Sequence, residues 1–534
     1  MNLWSQPIDP LHAMALSATV AALPLVIVLV IMGVLRKPGY VAAAWSLLCA
    51  LVLAPLIWHM PVRLALVSAG YGMVYALWPI MWIVFAALWL YNLSVDTGKF
   101  DLLRHWMEHH ASGDMRVQAV LVAFCFGALL EGTAGFGAPV AVTAYLLLAL
   151  GFSSSRAVTL SLIANTTPVA FGALGTPIVA LAAVTGLDQM KLSAMAGRQL
   201  PFMSLLLPAY LIVFLSGRKG LKGAWPAALV AGVSFATVQF VVANFWGPYA
   251  VDVLASLSSI VALTLFLRFW KPKNIMRPAS GAPDLTTAPE LSMADAVGAW
   301  TPWFLLAMVM IIWSYFQIFK KFHISIAVPW LHNAVFIALY NKPYAAIYDF
   351  QPLAAGTAAL TATLIAALVL RASPRVILHS GLTTLRQLRL PGLTVMLIVA
   401  LSYTYNYSGM AYTLGAALAG LGKWFPLASG FLGWIACFLS GSDTASNLLF
   451  GNLQVAAAHQ VGVSPVLMAA TNSSGAVTGK MISPQNIAVG VTTVGLVGKE
   501  GEVLREIFWH SVAFAVILSL LAFAQAYALR WMVP

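Results

Sequence analysis

Two acids stand in sequence that otherwise excludes charge. Glu131 occurs in "LLEGTAGFGAP" (Leu129–Pro139) and Asp443 in "SGSDTASN" (Ser440–Asn447), both inside long apolar stretches. A carboxylate in hydrocarbon is costly, and acids kept there usually mark an ion or substrate path. A buried carboxyl that exchanges its proton is the simplest proton carrier, so both are proton-coupling candidates. Gly132, Gly135, Gly137 and Pro139 around Glu131 weaken any continuous helix. The acid is therefore expected beside a break in the backbone.

A second pattern follows each acid. "NTTPVAFGALGTP" begins at Asn165 and "NSSGAVTGKMISP" at Asn472; both fit N-[ST]-[ST]-x4-G-x3-[ST]-P. Asn165, Thr166, Thr167, Gly172, Thr176 and Pro177 match Asn472, Ser473, Ser474, Gly479, Ser483 and Pro484. Ser or Thr before Pro is a helix start, since the hydroxyl caps free N–H groups and Pro fits the first turn. Found mid-membrane, it predicts a broken helix whose second half begins at Thr176-Pro177 or Ser483-Pro484. The exposed N–H groups and positive dipole end there suit a carboxylate. Asn165, Thr166, Thr167, Asn472, Ser473 and Ser474 supply neutral donors and acceptors for a substrate. Lys480, the one basic residue expected in a membrane core, either binds a substrate carboxylate or pairs with Asp443. The bland reading of the small residues is helix–helix packing, and Lys480 could instead snorkel to an interface.

The elements that must position these residues are membrane helices. Of 534 residues, 61% are hydrophobic and only 8% charged, against about 25% in soluble domains. The net charge of +12 comes from basic residues scattered between apolar segments, which sets membrane orientation and is no nucleic-acid signal. Cys49, Cys125 and Cys437 lie in apolar segments, so neither a disulfide framework nor a thiolate metal site is expected. The N-terminus lacks a basic cleavable leader, and the first apolar segment is expected to remain as a span.

Expected spans are 13–35, 40–58, 64–95, 157–185, 199–216, 224–245, 253–270, 299–319, 353–371, 391–408, 464–498 and 507–530. The stretches 117–150 and 425–459, each interrupted midway, read as re-entrant hairpins with tips near Gly135 and Ser446. Hairpin plus broken helix defines two repeat cores, 117–185 and 425–498. Seven spans separate the hairpins, an odd number, so the copies enter from opposite sides as inverted repeats. Residues 271–298 form a Pro-rich polar cytoplasmic loop and 320–352 a second connection. With the N-terminus outside, nineteen of the 28 Lys and Arg fall inside and eight outside, Lys480 being the last; this is the positive-inside bias. His105 and His109 have a metal-pair spacing, but their mixed-charge surroundings read as a solvated face. Walker, nucleophile-elbow and zinc-protease motifs are absent.

At "LLEGTAGFGAPVAVTAYLL", "ANTTPVAFGALGTPI", "GRQLPFM", "FLSGSDTASNLLF" and "GAVTGKMISPQNIAVG" the chain closely resembles the L-lactate permease family, from "MNLW" to "RWMVP". The resemblance implies uptake of L-lactate, often also D-lactate and glycolate, with protons across a bacterial inner membrane. It also implies kinship with ion transporters in which hairpins and broken helices frame the substrate.

The expected fold is an all-α polytopic membrane protein with about 12 transmembrane helices and two re-entrant hairpins. Its architecture is inverted-repeat and ion-transporter-like, with two broken helices. The expected function is monocarboxylate symport with H+ as coupling ion and no cofactor, metal or nucleic acid. Partners are the small carboxylate and the lipid bilayer, and a homo-oligomer is left open. The chain is placed in the inner membrane as a multi-pass protein with both termini periplasmic. Alternatives are a Na+-coupled carrier of another small carboxylate, a polytopic membrane enzyme and a passive channel.

Overall fold

The computed structural model describes residues 3–110, 113–135, 137–277, 292–318 and 321–534. Half of the Pro-rich loop at 271–298 (residues 278–291), and the side chain of His109, lie outside the described residues. Apolar helices dominate, and nine of those described are long and apolar enough to cross a membrane, or ten with one bent pair. The protein is an all-α polytopic membrane protein.

Several boundaries differ from the sequence reading. The spans expected at 199–216 and 224–245 are two helices within Leu200–Phe245 that turn back on each other at Gly217, so that the Ser204 hydroxyl donates to Gln239 Oε1 at 2.6 Å. The span expected at 391–408 begins earlier, at Pro374, because Ser373 caps it and Pro374 occupies its first turn. A helix at Met410–Ala419, not anticipated, follows it. The connection 320–352 is not plain loop. It holds β2 (Ile324–Ala327), β3 (Val335–Ile337), β4 (Lys342–Pro343) and β5 (Ile347–Phe350), while β1 is Trp4–Ser5 near the N-terminus. Strand β1 pairs parallel with β3, β4 pairs antiparallel with β3, and β2 with β5. The N-terminus and this insertion therefore share one face.

Side-chain contacts group other segments as the charge count does. Arg116 reaches the Gly220 and Asn274 carbonyls, and Arg156 pairs with Glu506 at 3.0 Å. On the other face Arg198 holds the Met532 carbonyl.

The two interrupted stretches are helix–turn–helix hairpins. The first has arms Met115–Thr133 and Ala138–Ala149, and the first arm's apolar window is 100% buried, against 28% for Met14–Val34. That arm is enclosed by protein rather than facing lipid. The second hairpin has arms Phe425–Ser440 and Asp443–Val461. Its tip is Gly441–Ser442, not Ser446. Gly441 has φ +71°, a left-handed value that favours glycine, and the Ser442 hydroxyl accepts from the Ala445 N–H. Ser446 lies a full turn further on, inside the helix.

Both expected breaks occur, with different geometry. Ser154–Ala164 ends at Asn165, and Gly172–Thr185 leaves it bent by 64°. Ala173, Leu174 and Gly175 are all left-handed, so regular helix resumes at Thr176-Pro177. An L-residue in that region costs about 1–2 kcal/mol, a strain such as functional regions hold. In the other copy, Pro465–Lys480 is regular, and Pro484–Thr493 restarts after Met481-Ile482-Ser483. The Ser483 hydroxyl caps it, accepting from the Asn486 N–H at 3.2 Å. Thr176 does not cap in this way; its hydroxyl donates to the Ala173 carbonyl at 2.6 Å.

Candidate functional site

The tip of each hairpin meets the first break at one small cavity. Glu131 and Gly135 come from the first hairpin; Gly441, Ser442, Asp443 and Thr444 come from the second. Val169, Gly172, Ala173, Thr176 and Pro177 line it from the first broken helix, and Lys480 from the end of Pro465–Lys480. Its volume is about 60 Å³, far below the roughly 300–1,000 Å³ of drug-sized pockets. The space suits a few waters or one small anion.

The charges are arranged by contacts that sequence spacing does not reveal. Lys480 Nζ lies 2.6 Å from Glu131 Oε1, with the two side chains 7% and 4% exposed. The expected alternative, a Lys480–Asp443 pair, is not what forms. Asn165 Nδ2 donates to Glu131 Oε2 at 2.9 Å, so both carboxylate oxygens are held. Lys480 ends its helix, where the dipole favours a cation. Glu131 lies near the end of its own arm, where the dipole opposes an anion, and Lys480 and Asn165 offset this.

Asp443 opens the second arm, the end that favours an anion. Its Oδ2 accepts from Ser473 Oγ at 2.7 Å, while Oδ1 has no hydrogen-bond partner among the described residues. Two helix starts, at Ser442-Asp443 and Thr176-Pro177, thus border the cavity that Lys480 faces. Among the described residues, no three His, Cys, Asp or Glu side chains come together as a metal site.

The remaining expected site residues divide. Gly172 makes room for the acid, since a Cβ there would meet Glu131 Oε1 at 2.6 Å. Asn165 acts through Glu131 and Ser473 through Asp443. Thr166 donates to the Ile163 carbonyl, and the Thr167 and Ser474 hydroxyls are buried without a partner among the described residues. Asn472 lies away from the cavity: its amide donates to Asn447 Oδ1 at 2.9 Å, and its carbonyl accepts from Gln454 at 2.8 Å. Asn447 in turn donates to the Pro177 carbonyl. Asn165 and Asn472 therefore do not converge on one ligand. The local difference is Pro168, which follows the first motif and disfavours helix before it, so the first helix already ends at Asn165. Gly475 stands at that position in the second helix, which runs on through Asn472–Ser474. Gly137, with φ +86°, turns the first tip into its second arm. Gly479 lies against the Trp434 carbonyl, and Pro484 starts its helix outside the cavity lining.

One acid was missed. Asp252 counts as a segment end in the sequence, yet it is 1% exposed with neither oxygen hydrogen-bonded among the described residues. It packs on the residue after Glu131: a Cβ on Gly132 would meet Asp252 Cβ at 2.7 Å. The available signal was the spacing of Asp252, Ser256 and Ser259, a polar stripe on one buried helix face.

A family model described as L-lactate permease matches residues 17–529. The chain belongs to the L-lactate permease family. It is 43% identical to the glycolate permease GlcA of Escherichia coli K12 and 43% identical to that organism's L-lactate permease, covering 100% of both chains in each case. It is 41% identical to the L-lactate permease of Bacillus subtilis, over 99% of this chain and 100% of that one. Among solved structures, MtrF of Neisseria gonorrhoeae, titled a member of a class of antimetabolite efflux pumps, superposes with a TM-score of 0.51. It is 11% identical, over 94% of this chain and 97% of its own. That likeness is one of fold alone. With relatives named as permeases, this permease is a small-carboxylate transporter embedded in a membrane.

Proposed function

We propose that this permease takes up L-lactate, together with D-lactate and glycolate, by proton symport across the bacterial inner membrane, with both termini periplasmic. The observation that carries the reading is the Lys480–Glu131 pair on the wall of a cavity sized for a small anion. Without substrate the pair is neutral. A substrate carboxylate that takes Lys480 as its partner leaves Glu131 as an uncompensated buried anion, which is strongly unfavourable. A proton on Glu131 restores neutrality. Anion and proton therefore enter together, one for one, and leave together when Lys480 returns to Glu131. The helix starts at Ser442 and Thr176-Pro177 offer N–H groups to the substrate's carboxylate or hydroxyl. Asp443, with one free oxygen, is the second proton-carrying candidate.

The repeat cores 117–185 and 425–498 contribute to the same cavity, and this supports reading them as inverted repeats with re-entrant hairpins. The test is uptake of labelled L-lactate into proteoliposomes. An inward proton gradient should drive accumulation above the external concentration in sodium-free buffer, with competition by D-lactate and glycolate. Equilibration without accumulation would instead indicate a channel, and dependence on sodium a different coupling ion.

A further inference from the structure

A second, larger chamber lies toward the face that carries the N-terminus and the β-insertion. Its volume is about 630 Å³, and its lining is rich in tyrosine, including Tyr340, Tyr344, Tyr403, Tyr407 and Tyr412. The rings brace one another: Tyr344 stacks on Tyr407 at 4.2 Å, and Tyr340 meets Tyr412 edge-on at 5.6 Å. Burial pushes the Tyr340 and Tyr344 hydroxyls well above the ordinary tyrosine range, so both stay neutral donors. The Tyr340 hydroxyl is buried without a hydrogen-bond partner among the described residues.

Charge in the chamber is unequal in availability. Asp349 lines it but is occupied, accepting from Ser325 at 3.1 Å and Gln351 at 2.9 Å. Lys342 lines it too, 5.7 Å from the Tyr340 ring centre, and forms no ion pair among the described residues.

The same half-helix borders both cavities. Thr176 and Pro177 line the Glu131–Lys480 cavity, and Thr185 and Gly186 line the chamber, about 14 Å further along the helix axis. The chamber floor is bonded to it: Asn406 donates to the Val184 carbonyl at 2.8 Å, and Asn452 donates to Asn406 at 2.7 Å. Gly451 packs on Leu181 in the same partition.

We propose that the chamber is an outer binding site for the 2-hydroxycarboxylate, where Lys342 attracts the anion and tyrosine hydroxyls replace its water. From there the anion passes the half-helix to the Glu131–Lys480 cavity. This rests on the transport reading above.

The test is initial-rate lactate uptake into proteoliposomes over a range of lactate concentrations, at low and high ionic strength. Removing a steering charge changes capture more than turnover, and salt screens it. Lys342→Gln should raise KM by about fivefold at low salt, with kcat unchanged and a smaller effect at high salt. Tyr340→Phe should raise KM with little salt dependence, and Lys342→Arg should restore most of the wild-type KM. Unchanged KM in both Lys342→Gln and Tyr340→Phe, with wild type transporting normally, would overturn the outer site alone. Wild type that moves no lactate would overturn the transport reading and the outer site with it.

Discussion

Glu131 and Lys480 are each almost fully enclosed, and each is the other's charge partner at 2.6 Å. Removing one member of such a pair strands the other, at a cost of about 3–5 kcal/mol, whereas replacing both with neutral groups is often harmless. Glu131→Gln and Lys480→Met are therefore each expected to lower the thermal unfolding temperature of the purified protein. The double variant should recover most of the loss while still failing to accumulate lactate. Losses that simply add in the double variant would show that the pair does not hold in the protein. Asn165 shares this logic at smaller scale, since its amide orients the oxygen of Glu131 that Lys480 leaves free.

At the scale of the elements, the breaks matter because they bring polar groups into an apolar interior. Thr-Pro and Ser-Pro starts were legible because the preference of Pro for a helix's first turn is local. Helices do resume at Pro177 and Pro484, although only Ser483 caps. Local signals could not say that Lys480 meets Glu131 across 349 positions, nor that the matching Asn motifs would differ in geometry. Asp252 was hidden for the same reason: its burial is created by the first hairpin packing on it. Gly172 offers a test at this scale. A methyl group there would overlap Glu131 Oε1, so Gly172→Ala should displace the carboxylate from Lys480. The expected outcome is a protein that inserts and purifies normally but binds lactate about tenfold more weakly, the scale of a ~1.4 kcal/mol disturbance. Unaltered affinity, measured by titration in detergent, would mean that Glu131 relaxes without functional cost.

The whole molecule separates two tasks. Some helices carry much of the exposed apolar surface, while the hairpin tips, the first helix break and the end of Pro465–Lys480 bring Glu131, Asp443 and Lys480 together around one buried cavity. Composition made the first task plain from the sequence, and the basic-residue count grouped the loops that the structure brings together on each face. The insertion that lines the larger chamber was not legible, because its strands are short and one of them, β3, pairs with β1 at the far N-terminus. The central claim is that one proton on Glu131 balances each anion on Lys480, and simultaneous proton and lactate fluxes in proteoliposomes test it most directly. Wild type should take up one proton per lactate with no net charge moved. Glu131→Gln should still exchange labelled for unlabelled lactate while moving no protons and accumulating none. Proton-coupled accumulation that survives in Glu131→Gln would contradict the account.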